Sequence, residues 1–491
     1  MGTKNTEEEA LVLAPKTPVP RRSIFEDNKM LMALAKDGKV PGQFPSTHLI
    51  LSLRRFVRFA TAAYGQQFLR WFGMSEKEEQ EQSAKKDLML HPELASFSDY
   101  IGLPPETTVA SSFLDPEGLS NTYREGFSPL IHFVSVDLEA KAIVLTCRGT
   151  LGFEDLLTDM SCDYTDFYWQ GHVYQVHRGI RDAARRLMHN AAKTGAMASL
   201  KEQMEQFPEF GLVFVGHSLG GAVAAVFAIL LSEPSRHEPG KSDAPSFVTA
   251  TKPKLLPSTA HSCTSKDSEP ITLPPGRPIQ VFAFGSPATV SAPLRVATRG
   301  LITSVVNAND IVPYLSIGTL HDFKAITVRL KEDFSGALDN IKQRAAIRIM
   351  QAISHFLWTG PGNPQSPAGA LPPGHIAGDG LGEDNWMWNE LVEMRKVMTS
   401  EKLYPPGEVF TIESTRVFDR DPDETTTGGA EQARHYTPLG RPATRIQCKW
   451  VKDVERRFAE VRFGRSMFHE HSPAAYETNL AALERAIIGD T

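Results

Sequence analysis

The chain has 491 residues, of which 41% are hydrophobic and 22% charged, with 52 basic and 58 acidic side chains giving a formal net charge of −6. The composition is that of a globular chain long enough to exceed one ordinary domain, and 36 glycines with 34 prolines point to many loops. The charge balance argues against a nucleic-acid protein, which would carry a basic excess. Cys147, Cys162, Cys263 and Cys448 are widely scattered and form no paired ligand motif, so a reducing compartment is expected.

The N-terminus, MGTKNTEEEA, has no apolar core of the kind a secretory signal needs. Gly2 with Thr6 matches the myristoylation pattern, although the acidic run Glu7–Glu9 makes it a poor example. Residues 1–45 are polar, charged and proline-containing, and read as a disordered leader. Residues 46–128 read as an N-terminal helical segment packing on or near the main domain. Within it Leu53, Phe56, Val57, Ala60, Tyr64, Phe68 and Trp71 recur at helical spacing, interleaved with Arg54, Arg55, Arg58 and Arg70. One reading is a helix packed on the core. The other is an interfacial helix whose arginines meet lipid phosphates. No uninterrupted apolar stretch reaches the length of a membrane span, so no transmembrane helix is expected.

From residue 129 to 485 the pattern is α/β. LIHFVSVD and AIVLTCRGT read as an antiparallel pair joined near Leu138–Lys141, and residues 179–207 as helical. FGLVFVGHSLGGAVAAVFAILL reads as a strand running through a glycine turn into a helix. PIQVFAFGSP and ITSVVNANDIVPYL are further buried strands, and GEVFTIEST and TRIQCKWV follow. Strand alternating with helix predicts a mostly parallel central sheet. Two insertions interrupt it. Residues 233–278, rich in Pro, Ser, Thr and Lys, read as a long flexible insertion, and residues 333–402 combine helical stretches with a Gly/Pro-rich hinge.

Gly216-His217-Ser218-Leu219-Gly220 fits G-x-S-x-G, in which a sharp strand-to-helix turn lifts a serine hydroxyl above the sheet. Small residues on either side let strand and helix approach closely. The pentapeptide alone is weak evidence, and a serine capping a helix would read the same. The apolar strand before it and the Ala-rich helix after it make the nucleophile reading specific. His217, next to the serine, is expected to point away and shape the turn.

A serine needs an imidazole to take its proton and a carboxylate to orient that imidazole. In this sheet class the order is Ser, then Asp or Glu, then His. Asp310 ends an apolar strand before IVP, with a plain turn as its alternative. Asp322 competes but lies beyond the strand end. The base should then come from MFHEHSP, residues 467–473, which offers His469 and His471. The oxyanion would be held by the Leu219 N–H and by Thr150, where Arg148-Gly149-Thr150 end an earlier strand. An ordinary turn is the alternative for that tripeptide.

Together these residues resemble the class 3 lipases. The shared elements are TCRGT (146–150), HRG (177–179), GHSLGG (216–221), FGSP (284–287) and NANDIVP (307–313), in that order. The C-terminal part is similar to the sn-1-specific diacylglycerol lipases, in which a YPPG strand entry precedes a segment with the active histidine just before a proline. Here LYPPGEVFTI and SMFHEHSP stand in those places. The resemblance spans roughly residues 120–480. It implies an α/β-hydrolase fold with Ser218 as nucleophile, Asp310 as acid, His471 as base, and Thr150 with Leu219 as the oxyanion hole. His469 becomes a structural candidate and Glu470 only a neighbour. Animal members begin with four transmembrane helices, and nothing comparable occurs here, so cytoplasmic, peripheral membrane association is implied instead.

The implied activity is hydrolysis of the sn-1 ester of diacylglycerol at a membrane or lipid-droplet surface, with no metal and no cofactor. Residues 151–170 would form or support a lid, with Phe153, Leu156, Leu157, Phe167 and Trp169 able to meet acyl chains, or would be a helix with a core face. The alternatives are another acylglycerol lipase, a phospholipase A1-type esterase, or an inactive lipid-surface binding protein. Ser262, Thr264, Ser265 and Ser268 in the 233–278 insertion suggest a kinase or protease acting there.

Overall fold

The run Gly211–His217 is buried at every position, as a strand must be when both faces of its sheet are covered. In the computed structural model the described residues are 24–26, 47–71, 74, 92–112, 130–150, 163–189, 195–235, 247–251, 271–334, 396, 398–416, 444–462, 464 and 466–488. The strands are β1 (Thr108–Ser111), β2 (His132–Asp137), β3 (Ala142–Cys147), β4 (Tyr164–Trp169), β5 (His172–His177), β6 (Gly211–His217), β7 (Ser232–Pro234), β8 (Phe247–Thr249), β9 (Ile279–Phe284), β10 (Ile302–Asn307), β11 (Glu408–Arg416) and β12 (Thr444–Trp450). The helices are α1 (Thr47–Ala62), α2 (Gln66–Trp71), α3 (Pro92–Ile101), α4 (Arg178–His189), α5 (Ala196–Gln206), α6 (Leu219–Leu231), α7 (Ala292–Ala297), α8 (Ile317–Phe334), α9 (Val454–Phe458) and α10 (Pro473–Ile488).

Among the described residues eight strands form one sheet in the order β1-β2-β3-β6-β9-β10-β11-β12. The five in the middle, β3, β6, β9, β10 and β11, run parallel, and antiparallel strands close both edges. This is the α/β-hydrolase arrangement that the sequence implies. The two-residue side-chain period sorts the core. Leu212 and Phe214 join the cluster under α4, α5 and α6, while Val213 and Val215 join the one under α1, α3 and α10. Burying each such side chain contributes about 1.5–3 kcal/mol.

On the second face α1 presents Leu53, Phe56 and Val57 to the sheet, and Phe56 stacks on Phe282 with ring centroids 4.7 Å apart. Its arginines are engaged within the protein. Arg55 makes two 2.6 Å bonds to Asp137, Arg54 reaches Glu477 at 2.9 Å, and Arg58 donates to the Tyr100 carbonyl. The core-packing reading of this helix therefore holds over the lipid-facing one. The helical spacing through Trp71 is also broken into α1 and α2, because Gly65 takes a φ of +88°. A side chain there would meet the Glu93 carboxylate at 2.6 Å.

Two further expectations change. Residues Tyr164–Trp169 are a strand of a β4–β5 hairpin, not part of a helix. Phe167 and Trp169 are its inward-facing residues, and Trp169 stacks on Phe247 of β8 and donates to the Ser232 carbonyl at 3.4 Å. Both are buried core residues. Inside the 233–278 insertion, β7 and β8 pair as a small ribbon. Residues 151–162 (with Phe153, Leu156 and Leu157), Ser262, Thr264, Ser265, Ser268 and nearly all of 335–397 lie outside the described residues. Among the described residues no helix is long and apolar enough to cross a membrane.

Candidate active site

β6 ends at His217, and α6 begins at Leu219, so Ser218 alone makes the turn between them. It does so at φ 57° and ψ −133°, a backbone region that L-residues with side chains rarely occupy. Two glycines allow this. A Cβ on Gly216 would lie 2.3 Å from the Gly220 carbonyl carbon, and one on Gly220 would lie 2.2 Å from the Cys147 carbonyl oxygen. The turn therefore needs hydrogen at both positions. The Ser218 N–H is anchored to the Phe284 carbonyl at 2.8 Å.

The sheet order places β10 two strands from β6, and Asp310 follows three residues after its end. His471 arrives from the far end of the chain, just before α10. Ser218 Oγ lies 3.0 Å from His471 Nε2, and His471 Nδ1 lies 3.0 and 2.9 Å from the two Asp310 oxygens. The acceptor-only carboxylate assigns the proton to Nδ1 and leaves Nε2 free to accept from the serine hydroxyl. Asp310 is fully buried and takes two further bonds, from the Val312 N–H at 2.9 Å and the Tyr476 hydroxyl at 2.6 Å. The structure thus brings Ser218, Asp310 and His471 into one hydrogen-bonded line. Asp322 is elsewhere, in α8, bonded to Lys402 at 2.6 Å. His469 is exposed.

The end of β3 passes beside the serine, since a Cβ on Gly149 would lie 3.1 Å from Ser218 Cβ. Thr150 follows it, half-buried, and the Leu219 N–H opens α6. Gly285 of FGSP lines the other side. It has φ +56°, and a side chain there would meet Asp310 Oδ2 at 2.8 Å and His471 Cε1 at 3.2 Å.

Tyr476 and Tyr64 enter the site without having been given a role there by sequence reasoning, and His217 and Glu470 take larger parts than it gave them. Tyr476 donates to Asp310 and accepts from the Asn307 N–H at 3.0 Å, so its hydroxyl fixes the acid turn. Burial, reinforced by Asp310, holds that phenol far above the ordinary tyrosine value. Tyr64, just beyond α1, has its hydroxyl 2.7 Å from His217 Nδ1. Burial raises its phenol too, so it stays a proton donor. His217 packs beside the His471 imidazole. Its ring lies 4.6 Å from that of His471. Burial first, then the neighbouring His471, holds it well below the ordinary histidine value, so it is neutral. Glu470 is more than a neighbour, because its carboxylate accepts from the Asn309 N–H at 2.7 Å. The buried thiols Cys147 and Cys448 are each pushed up to about 12 by burial, which leaves no thiolate at neutral pH.

Residues 144–319 match the family model described as lipase (class 3). Diacylglycerol lipase-beta of Mus musculus is 25% identical over 201 residues, covering 40% of this chain and 23% of that protein. Diacylglycerol lipase-alpha of Homo sapiens is 30% identical over 365 residues, covering 70% of this chain and 26% of that protein. The chain thus spans about a quarter of the length of the curated relatives it matches. The solved lipase from Rhizopus microsporus var. chinensis aligns at 17% identity with a TM-score of 0.33, covering 62% of this chain and 78% of that one.

Proposed function

We propose that this chain, a class 3 lipase by its residues 144–319, hydrolyses the sn-1 ester of diacylglycerol to a monoacylglycerol and a free fatty acid. One observation carries the reading: a single imidazole, His471, joins the Ser218 hydroxyl at 3.0 Å to the buried Asp310 carboxylate at 2.9 Å. That geometry supports acyl transfer by a serine nucleophile.

In this mechanism His471 Nε2 takes the Ser218 proton as Oγ attacks the ester carbonyl. The carbonyl π bond opens to an oxyanion, which the Leu219 N–H and the Thr150 N–H and hydroxyl hold. Asp310 keeps the Nδ1 tautomer and stabilises the imidazolium. The imidazolium then protonates the departing glycerol oxygen, the ester bond breaks, and monoacylglycerol leaves an acyl-Ser218. A water, deprotonated by His471, attacks that ester and releases the fatty acid and the free serine.

The likeness to proteins named diacylglycerol lipase-alpha and -beta supports diacylglycerol as the substrate. Because that lipid is insoluble, the protein meets it at a lipid surface, by peripheral contact. The test is a diacylglycerol with different acyl chains at sn-1 and sn-2. The expected product is the sn-1 acid with 2-monoacylglycerol, and Ser218→Ala should release neither acid. Release of the sn-2 acid first, or any comparable release by the variant, would overturn the reading.

A further inference from the structure

Ser218 directly follows β6, and Asp310 stands three residues beyond β10, but His471 belongs to no strand or helix. It sits in a run of turns between Gly464 and α10, so side-chain contacts must set its position. Those contacts converge on the residue before it. The Glu470 carbonyl accepts from Asn307 Nδ2 at 3.0 Å, and Asn307 is itself oriented by Asn479 Nδ2, which donates to its Oδ1 at 2.7 Å. One Glu470 carboxylate oxygen accepts from the Asn309 N–H at 2.7 Å, and the other from the Ser466 hydroxyl at 2.7 Å. The Glu470 N–H closes the turn on the Ser466 carbonyl at 2.8 Å. At the start of the loop, a Cβ on Gly464 would lie 3.3 Å from Asn309 Cβ, so this end also rests on the same residue.

The residue before the base is therefore bonded, through main chain and side chain, to the two residues that bracket the turn into the acid. We infer that Glu470 is a positioning residue: its carboxylate clasps the His471 loop onto the Asn307–Asp310 turn and so fixes the imidazole between Ser218 and Asp310. A carboxylate is suited to this, because a charge-assisted bond to a backbone N–H is stronger than a neutral one. The consequence is kinetic. A base displaced by about 1 Å loses about 100-fold in rate, while a substrate that never touches Glu470 binds as before.

The inference rests on the ester-hydrolase reading above, and its test separates the two. Wild type, Glu470→Ala and Glu470→Gln are assayed on p-nitrophenyl butyrate, and amide hydrogen exchange of the 464–472 segment is followed in each. In Glu470→Ala, kcat should fall by about 10- to 100-fold, with KM within about twofold. Glu470→Gln keeps an oxygen for the Asn309 N–H and should recover to within about fivefold of wild type. Exchange in the segment should be about tenfold faster in Glu470→Ala than in wild type. Unchanged kcat and exchange in Glu470→Ala would overturn the inference, as would equal losses in both variants accompanied by a lowered Tm. If wild type hydrolyses no ester, the hydrolase reading fails. The exchange comparison then still decides the clasp, faster exchange supporting it and unchanged exchange overturning it.

Discussion

His217 and His471 lie with ring centroids 4.6 Å apart and planes tilted by 36°. His217 is uncharged through burial, so it adds no positive charge beside the imidazolium that the proposed mechanism forms on His471. The Tyr64 hydroxyl pairs with His217 Nδ1 at 2.7 Å and holds that ring beside His471. A residue from outside the matched lipase segment thus supports the imidazole from beneath.

Tyr64→Phe leaves the buried His217 Nδ1 without its partner. Such a loss costs about 1–3 kcal/mol, and chemical denaturation should show it as a lowered midpoint. The ring of His217 also gains freedom under His471, so kcat should fall while KM holds. An unchanged midpoint and kcat would mean that the bond supports neither stability nor catalysis.

Protonation of His217 predicts a pH signature. Unfolded, the residue titrates near about 6.5; folded, it titrates well below that value. Across the window between the two, the unfolded state binds the extra proton, so this contribution to stability is complete above about pH 6.5 and is lost as pH falls below it. One proton gives a slope of about 1.4 kcal/mol per pH unit. His217→Gln removes the titration, so the stability difference between wild type and variant should narrow as pH drops from about 7 to about 5. Denaturation curves over that range check it, and a constant difference would contradict it.

Tyr476→Phe removes the donor to Asp310 and the acceptor of the Asn307 N–H in one step. The acid keeps its bond to the Val312 N–H but loses its shortest one. A fall in kcat of about tenfold, equivalent to about 1.4 kcal/mol, should accompany a stability loss of about 1–3 kcal/mol. Full activity in a destabilised protein would assign Tyr476 to the fold alone.

The two histidines of MFHEHSP should behave unequally. His471→Ala removes the proton acceptor of Ser218 and should abolish hydrolysis, whereas His469, exposed and with its carbonyl accepting from the Ser472 N–H, should leave a measurable rate when replaced by alanine. Equal loss from both changes would contradict the separate placement of the two rings.

The sheet was legible because its strands are apolar on both faces, and the serine turn because Gly216 and Gly220 flank it at fixed spacing. Chain order then pointed to Asp310, while the preference for His471 over His469 came from family resemblance. The supporting contacts were not legible. Tyr64 and His217 are 153 residues apart, and Tyr476 and Asp310 are 166 apart, so no local pattern links them. Other misreadings had a local signal. Gly65 marks the end of a helix that apolar spacing alone carried through to Trp71. In β4, buried Phe167 and Trp169 alternate with exposed Asp166 and Tyr168, a strand period that the helical alternative for this segment missed.

The proposed activity, a serine lipase acting on diacylglycerol, stands or falls on substrate preference. Its most direct test is a hydrolysis panel across di-, tri- and monoacylglycerols and phospholipids, run on the full chain with Ser218→Ala as control. Wild type should cleave diacylglycerol fastest, and the variant should cleave nothing. Phospholipid cleavage far faster than diacylglycerol cleavage, or hydrolysis that survives in Ser218→Ala, would contradict it.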